Sequence, residues 1–137
     1  MSKIVLISCV KKKLDYKAKA KELYTSPYFK YSLNYALSLK PDKIFILSAK
    51  YGLLDLEQEI KPYDKTLNKM SSDEVKEWSE NIIKKLRENA NLEKDEFIFL
   101  AGNKYRKYLI KNIKNYKIPL EGLGIGKQLK YLKENSK

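Results

Sequence analysis

Three short and almost continuously apolar runs constrain the fold of this chain more than any other feature. They are KIVLISC (3–9), KIFILSA (43–49) and EFIFLA (96–101). Each is rich in β-branched or aromatic residues and lacks strict apolar–polar alternation, which is typical of strands covered on both faces. A fourth run, YKIPLEG (116–122), contains Pro119 and therefore predicts an edge strand or a short strand.

Helical patterns separate these runs. Ser26 can cap one helix and Pro27 can occupy its first turn. Ser71 and Glu74 form a capping-box signature before a second helix. Two further helices are predicted within NKYRKYLIKNI and GKQLKYLKEN. Because strands alternate with helices, we expect a single α/β domain over residues 1–137, with a mainly parallel four-stranded sheet flanked by helices.

The chain has no histidine and one cysteine, which excludes several kinds of site. Zinc sites with histidine ligands, serine–histidine–aspartate triads and thiolate metal clusters all need residues that it lacks. It has no GxxxxGK[ST] phosphate loop, and GLGIG (122–126) is followed by too few residues for a nicotinamide fingerprint. We therefore expect no metal and no cofactor. The lone Cys9 and the absence of a bilayer-length apolar run predict a cytoplasmic protein with no membrane partner.

The formal charge of +12, from 29 basic and 17 acidic residues, has two interpretations. Most of the cations are lysines interleaved with asparagine and isoleucine, so the charge can be compositional bias alone. If it is functional, the partner is polyanionic, because lysine and arginine neutralise phosphates and release counterions. The 11 tyrosines also suit stacking on unpaired bases, although each one alone is more simply explained by packing. DNA or RNA is the predicted partner.

The first candidate site segment follows the first strand and extends from Ser8 to Ser26. At about eighteen residues, it has a length typical of a functional or mobile loop. It can form an anion cradle with a catalytic lysine, or a solvated cationic loop in which Cys9 is a small buried residue. A nucleophilic Cys9 is a further alternative, since neighbouring lysines can lower a thiol pKa.

The second candidate segment, Ser48 to Asp64, follows the second strand. Without histidine, the groups left for proton transfer or nucleophilic attack are lysine, tyrosine and carboxylate, and this segment contains all three. Alternatively, Lys50 and Asp55 form an exposed ion pair and the tyrosines only pack. After the third strand, Gly102 and the amides of a helix start form a possible anion seat, with Tyr105 beside it.

The blocks LISCVKKK, LYTSPYFKYSLNYA, FILSAKYGLLDLEQEIKPYDKTL, FLAGNKYR and PLEGLGIGKQLKYL occur in that order. Together they resemble a family of small bacterial and archaeal domains, over nearly the whole chain. ILSAKYGLL followed by IKPYD is also similar to the SGLYGLL…PY pattern of the YaaA peroxide-stress DNA-binding proteins. The lysine-bearing domain of archaeosine synthase, which modifies a deazaguanine base in tRNA, is a more remote resemblance. The resemblance implies a YaaA-like, glycosylase-like α/β fold but no established reaction.

The resemblance marks residues in three of these blocks as the site. They are Ser8, Cys9, Lys11, Lys12, Lys13, Tyr24, Thr25, Ser26, Ser48, Lys50, Tyr51, Gly52, Pro62 and Tyr63. This chain is much shorter than a YaaA protein and lacks an added helical DNA-binding element. This difference argues against binding of a duplex more than it argues against a central pocket.

We therefore predict a nucleic-acid-binding domain with a basic, tyrosine-rich pocket at the carboxyl edge of the sheet. It would process a nucleobase by glycosidic or base-exchange chemistry, in stress response or nucleic-acid modification. The alternatives are an enzyme acting on a free nucleoside or nucleotide, and a non-catalytic binding module. Lys50 or one of the lysines Lys11 to Lys13, such as Lys12, would be nucleophile or electrostatic catalyst, and Asp55 or Asp64 the acid or base. The other marked residues, with Gly102 and Tyr105, would bind the substrate.

Overall fold

The computed structural model describes residues 1–136 and has a five-stranded sheet at its centre. In spatial order its strands are β4 (Gly52–Asp55), β3 (Lys43–Ser48), β1 (Lys3–Ser8), β6 (Glu96–Leu100) and β7 (Asn115–Lys117). β1 is parallel to β3 and β6, and β6 is parallel to β7, whereas β4 is antiparallel to β3. The predicted α/β class is confirmed. The sheet is mainly parallel, as predicted, but it has five strands and not four, and its edge strand β4 makes it a mixed sheet.

In the central sheet, the strand that sequence analysis missed is β4, which forms a tight hairpin with β3. Ser48 pairs with Gly52, so only three residues make the turn. The Tyr51 backbone N–H donates to Ser48 Oγ at 3.0 Å, and Gly52 has a φ of +76°, a conformation that favours glycine. A strand of four residues is too short to show a period in the sequence. Residues 52–55 are therefore strand, not the loop that we predicted.

Gly52→Ala should lower the free energy of unfolding by about 1–2 kcal/mol, because an L side chain is strained in the left-handed region. An added Cβ would lie 3.6 Å from Ile82 Cδ1, which is ordinary contact, so the cost comes from the backbone. Gly126→Ala is the control: it lies inside a helix with open space around it, and should stabilise by about 0.5–1 kcal/mol. Urea unfolding measures the free energy of unfolding of both variants. If the two substitutions changed it in the same direction, the prediction would be contradicted.

Five α-helices accompany the strands: α1 (Ala20–Leu23), α2 (Pro27–Ser38), α3 (Ser72–Asn89), α4 (Asn103–Arg106) and α5 (Ile125–Asn135). Both predicted caps are present. Ser26 Oγ accepts from the Phe29 N–H at 3.1 Å, and Ser71 and Glu74 form a reciprocal capping box. None of the helices in residues 1–136 is both long and apolar enough to cross a membrane.

The predicted helix over NKYRKYLIKNI is wrong in extent. α4 makes a single turn, and a separate 3₁₀ turn follows at Ile110–Asn112. Like charges at positions three and four apart, such as Lys104 with Lys107 and Lys107 with Lys111, oppose a continuous helix here.

The segment between β1 and α2 is not the free loop that its length predicted. β2 (Ala18–Lys19) pairs antiparallel with β5 (Glu59–Ile60), and α1 follows β2 directly. Glu57 bonds Lys21 Nζ at 2.6 Å and Lys19 Nζ at 2.9 Å. These two ammonium groups, Lys21 foremost, lower the pKa of the Glu57 carboxyl to about 2. The segment after β1 is thereby tied to the segment after β4.

The order of connections creates a crevice between β1 and β6. The chain passes from β1 through α2 to β3 on one side, and then through α3 back to β6 on the other side of β1. Right-handed crossovers that run in opposite directions place α2 and α3 on opposite faces of the sheet. In open α/β sheets, ligands bind at such a topological switch point, outside the carboxyl ends of the strands.

Candidate functional site

A cleft of about 340 Å³ opens at this switch point. Cys9, the residue after β1, meets Tyr105, which follows β6, and the Cys9 Sγ lies 3.2 Å from the Tyr105 hydroxyl. We call the recess the lysine cleft, because four ammonium side chains line it together with one carboxylate, that of Asp64. The four cations are Lys11, Lys13, Lys65 and Lys69. Val10, Thr66 and Asn68 complete its lining.

The charge of the lysine cleft is not neutralised within the part of the chain that the structure describes. There, no carboxylate lies within salt-bridge distance of any of its four lysines. Three of the four, Lys11, Lys65 and Lys69, are exposed, while Lys13 is half-buried. A recess with this excess of positive charge attracts anions and favours those that carry several negative oxygens.

A chain of hydroxyl groups lies behind the cleft. Ser48 Oγ donates to the Tyr63 hydroxyl at 2.8 Å, and the Tyr63 and Tyr24 hydroxyls are 2.7 Å apart. The Trp78 indole N–H donates to the Ser48 carbonyl oxygen at 2.9 Å and so fixes the end of β3. Trp78 also packs edge-on against the Tyr105 ring, with centroids 5.6 Å apart. The network therefore joins β3, α3 and the two segments that form the cleft.

Burial keeps these phenols neutral. It raises the pKa of Tyr24, of Tyr63 and of Tyr105 well above the ordinary tyrosine range, and the nearby Cys9 acts in the same direction. A neutral phenol can donate a hydrogen bond to a ligand oxygen or ring nitrogen and can accept one in return. Tyr105, which lines the cleft, is placed to do this.

Among the four lysines of the cleft, Lys13 is the least exposed to solvent. Its Nζ lies 4.4 Å from the centre of the Tyr63 ring and donates to the Lys11 carbonyl oxygen at 3.1 Å. Desolvation lowers the pKa of Lys13, and the neighbouring Cys9 and Asp64 oppose that shift in part. A lysine with a lowered pKa presents more of its neutral, nucleophilic amine at a given pH, as a general base or nucleophile requires.

The structure brings some of the predicted site residues together. Cys9, Lys11, Lys13, Asp64 and Tyr105 line the cleft. Tyr24, Ser48 and Tyr63 form the hydroxyl chain behind it, and the buried Ser8 ends β1 beside it.

Other predicted residues have structural positions instead. Ser26 caps α2, and the Thr25 backbone N–H donates to the Lys12 carbonyl oxygen at 3.1 Å. Gly52 permits the hairpin turn, and the Tyr51 hydroxyl donates to the Lys61 carbonyl oxygen at 3.2 Å. None of these groups lines the cleft.

Three predicted catalytic residues lie outside the cleft. Lys12 is exposed, and Lys50 is exposed at the hairpin tip with its Nζ 5.3 Å from the centre of the Tyr51 ring. Asp55 pairs with Phe45 near the amino end of β3, about 10 Å along the strand from Ser48. The predicted site residue Gly102 begins α4 and lines a separate cavity of about 210 Å³.

Sequence analysis missed one wall of the cleft, formed by residues 65–69. Thr66 Oγ1 accepts from the Asn68 N–H at 3.2 Å and starts a 3₁₀ turn that places Asn68 and Lys69 at the cleft. A signal for this wall was present in the sequence: in DKTLNK (64–69), the run of polar residues continues beyond Asp64, where our candidate segment ended. Only Leu67 of this segment is fully buried.

Comparison with known proteins gives a family and no function. DUF6884, a family of unknown function, matches residues 4–134 of the chain. No curated protein and no solved structure matches it.

Proposed function

The chain belongs to DUF6884, a family of unknown function, and we propose that it binds nucleic acid by admitting one phosphate-bearing nucleotide to the lysine cleft. The observation that carries this proposal is the position and charge of the cleft. Four lysines surround a nucleotide-sized recess at the topological switch point, and Asp64 is its one carboxylate. Lysines of this kind neutralise phosphates whatever the base sequence.

The neutral aromatic and thiol groups at the cleft suit a base or sugar more than a second phosphate. Tyr105 can stack or form hydrogen bonds, and Cys9 beside it is only 8% exposed. A base within a duplex would have to be extruded to reach them. The proposal therefore distinguishes a cationic rim that holds the backbone from an uncharged floor that meets the base.

Processing of the base forms a second part of the proposal. Lys13, not Lys12 or Lys50, is the lysine we propose as nucleophile or base, because it lines the cleft and has a lowered pKa. Asp64 remains the candidate acid or base, since it lines the same recess. The YaaA resemblance implies a glycosylase-like fold but no reaction, so the chemistry is proposed from Lys13 and Asp64 alone. A free nucleotide is the competing substrate, because a recess of about 340 Å³ can hold one whole.

Binding of fluorescent DNA and RNA strands at two salt concentrations tests the proposal. Lys65→Ala combined with Lys69→Ala should weaken binding by about tenfold or more and lower the salt slope by about 1.4, or about 0.7 per lysine on a single strand. Fluorescence anisotropy measures both quantities.

Lys94→Ala combined with Lys114→Ala is the matched control. Both lysines are exposed and precede β6 and β7, at the opposite end of the sheet, so the double variant removes the same charge away from the cleft. Equal losses for the two double variants would show that binding depends only on total charge. Absence of binding to any strand at low salt, with binding of free nucleotides, would favour the competing substrate.

A further inference from the structure

A second basic recess lies along α3, outside the lysine cleft. It has a volume of about 450 Å³ and is lined by Lys76, Lys84 and Arg87 of α3, and by Tyr108 and Lys111 of the segment after α4. We call it the Tyr108 groove. Glu80 is the one carboxylate at its lining.

Three lysines crowd around the Tyr108 ring. The Nζ atoms of Lys111, Lys107 and Lys76 lie 5.3, 5.5 and 5.6 Å from its centre. In residues 1–136, no carboxylate lies within salt-bridge distance of any of the three. One ring offsets little of the mutual repulsion of three cations, whereas a bound phosphate would lower it directly.

A buried hydroxyl at the same groove also lacks a partner. Ser79 lines the groove, is 2% exposed, and its Oγ makes no hydrogen bond within the described part of the chain. In residues 1–136, one other buried side-chain oxygen lacks a hydrogen-bond partner, the Oγ of Ser32 in α2. Because the Ser79 Oγ atom is itself buried, a ligand in the groove does not contact it, and attraction of an anion depends on the cations that line the groove.

The groove and the cleft are connected by further basic surface. Lys104 Nζ donates to the carbonyl oxygens of Leu67 and Asn68 at 3.4 and 3.3 Å, and Asn68 lines the lysine cleft. Lys104 and Lys107 also line a small cavity beside the groove, with which it shares Tyr108. Positive charge therefore continues from the cleft, past α4, to the groove.

We infer that this continuous surface is a track for a single-stranded nucleic acid, whose backbone leaves the lysine cleft and follows the Tyr108 groove. This inference rests on the proposed function and adds to it the class of substrate. Along α3, Lys76 to Arg87 spans about 16 Å, so the track holds several nucleotides beyond the one in the cleft. We expect a single strand to bind more tightly than a duplex, because a base of a duplex must be unpaired and extruded before it can enter the cleft.

Length dependence tests the inference. The probes are labelled oligothymidylates of about 4 and about 16 nucleotides, the range of known single-strand site sizes. We expect wild type to bind the longer strand more tightly. Lys76→Ala combined with Lys111→Ala should weaken binding of the longer strand by about tenfold and reduce the salt slope of that binding by about 1.4. The affinity for the shorter strand should stay within about twofold of the wild-type value.

Lys94→Ala combined with Lys114→Ala again serves as the matched control, with circular dichroism to confirm folding of every variant. Equal affinities for both lengths, or equal losses in the groove and control variants, would overturn the track and leave the cleft proposal standing. If a duplex of about 16 base pairs binds more tightly than the single strand, the track is also overturned. If no strand of either length binds at low salt, both proposals fail together.

Discussion

Trp78→Ala should lower the free energy of unfolding by about 3–5 kcal/mol, the usual cost of removing a buried aromatic side chain. Trp78 is 7% exposed and packs edge-on against Tyr105. Its indole N–H also satisfies the Ser48 carbonyl oxygen at the end of β3. The substitution therefore leaves both a cavity and a buried acceptor without its partner. Because Tyr105 loses its support, affinity for any ligand of the lysine cleft should fall as well.

Urea unfolding followed by circular dichroism measures this effect, since the only tryptophan is the residue removed. Trp78→Phe separates the two causes: it keeps most of the packing, loses the hydrogen bond, and should cost about 1–3 kcal/mol. Glu77→Ala, at an exposed neighbouring position of α3, should remain within about 0.5 kcal/mol of wild type. A loss below about 1 kcal/mol for Trp78→Ala would contradict the place of Trp78 in the core.

Stability should also fall steeply above about pH 10, where tyrosines of an unfolded chain lose their protons. The pKa of Tyr24, Tyr63 and Tyr105 is raised by burial, so these residues keep their protons in the folded state. Above that pH the unfolded state binds fewer protons than the folded state, and each such residue lowers stability by about 1.4 kcal/mol per pH unit. The three together give about 4 kcal/mol per pH unit.

Lys13 acts in the opposite sense at lower pH. Its pKa is lowered, so stability rises with pH until the unfolded lysine has also lost its proton. The tyrosine effect is isolated by comparing urea unfolding of wild type and Tyr63→Phe across the alkaline range. We expect the variant to lose stability at neutral pH, because the Ser48 and Tyr24 hydroxyls lose a partner. Its slope in the alkaline range should be shallower by the contribution of one tyrosine, about 1.4 kcal/mol per pH unit. An unchanged slope would contradict the raised pKa of Tyr63.

The sequence was sufficient to predict the parts of the fold that local signals determine. The strands β1, β3 and β6 end within one residue of the predicted positions, because each is a continuous apolar run with a polar boundary. The caps at Ser26 and Ser71 follow from side-chain hydrogen bonds to nearby backbone, which need no tertiary information. Once the strand order is known, the general rule for open α/β sheets also predicts that the cleft lies at the topological switch point.

The other parts of the fold and of the cleft depend on contacts between distant segments, which a local sequence pattern does not encode. β4 exists because Gly52 turns the chain back onto β3, and this pairing carries Asp55 away from the cleft. Lys50 is exposed because it lies at the tip of that turn. The wall at residues 65–69 reaches the cleft through a 3₁₀ turn and Lys104, contacts between segments distant in sequence. A charge in the right segment was therefore not enough to predict which residues line the cleft.

The pairing of β2 with β5 has a consequence for how a ligand enters. Fixing the backbone of a residue costs about 1–2 kcal/mol, and a loose lid must meet that cost each time it closes on a ligand. Here the segment after β1 is already held, by this pairing and by Lys19 and Lys21 on Glu57. That cost is met once, during folding. A ligand of the lysine cleft would therefore meet a preformed recess, whose shape and charge are present before the ligand arrives.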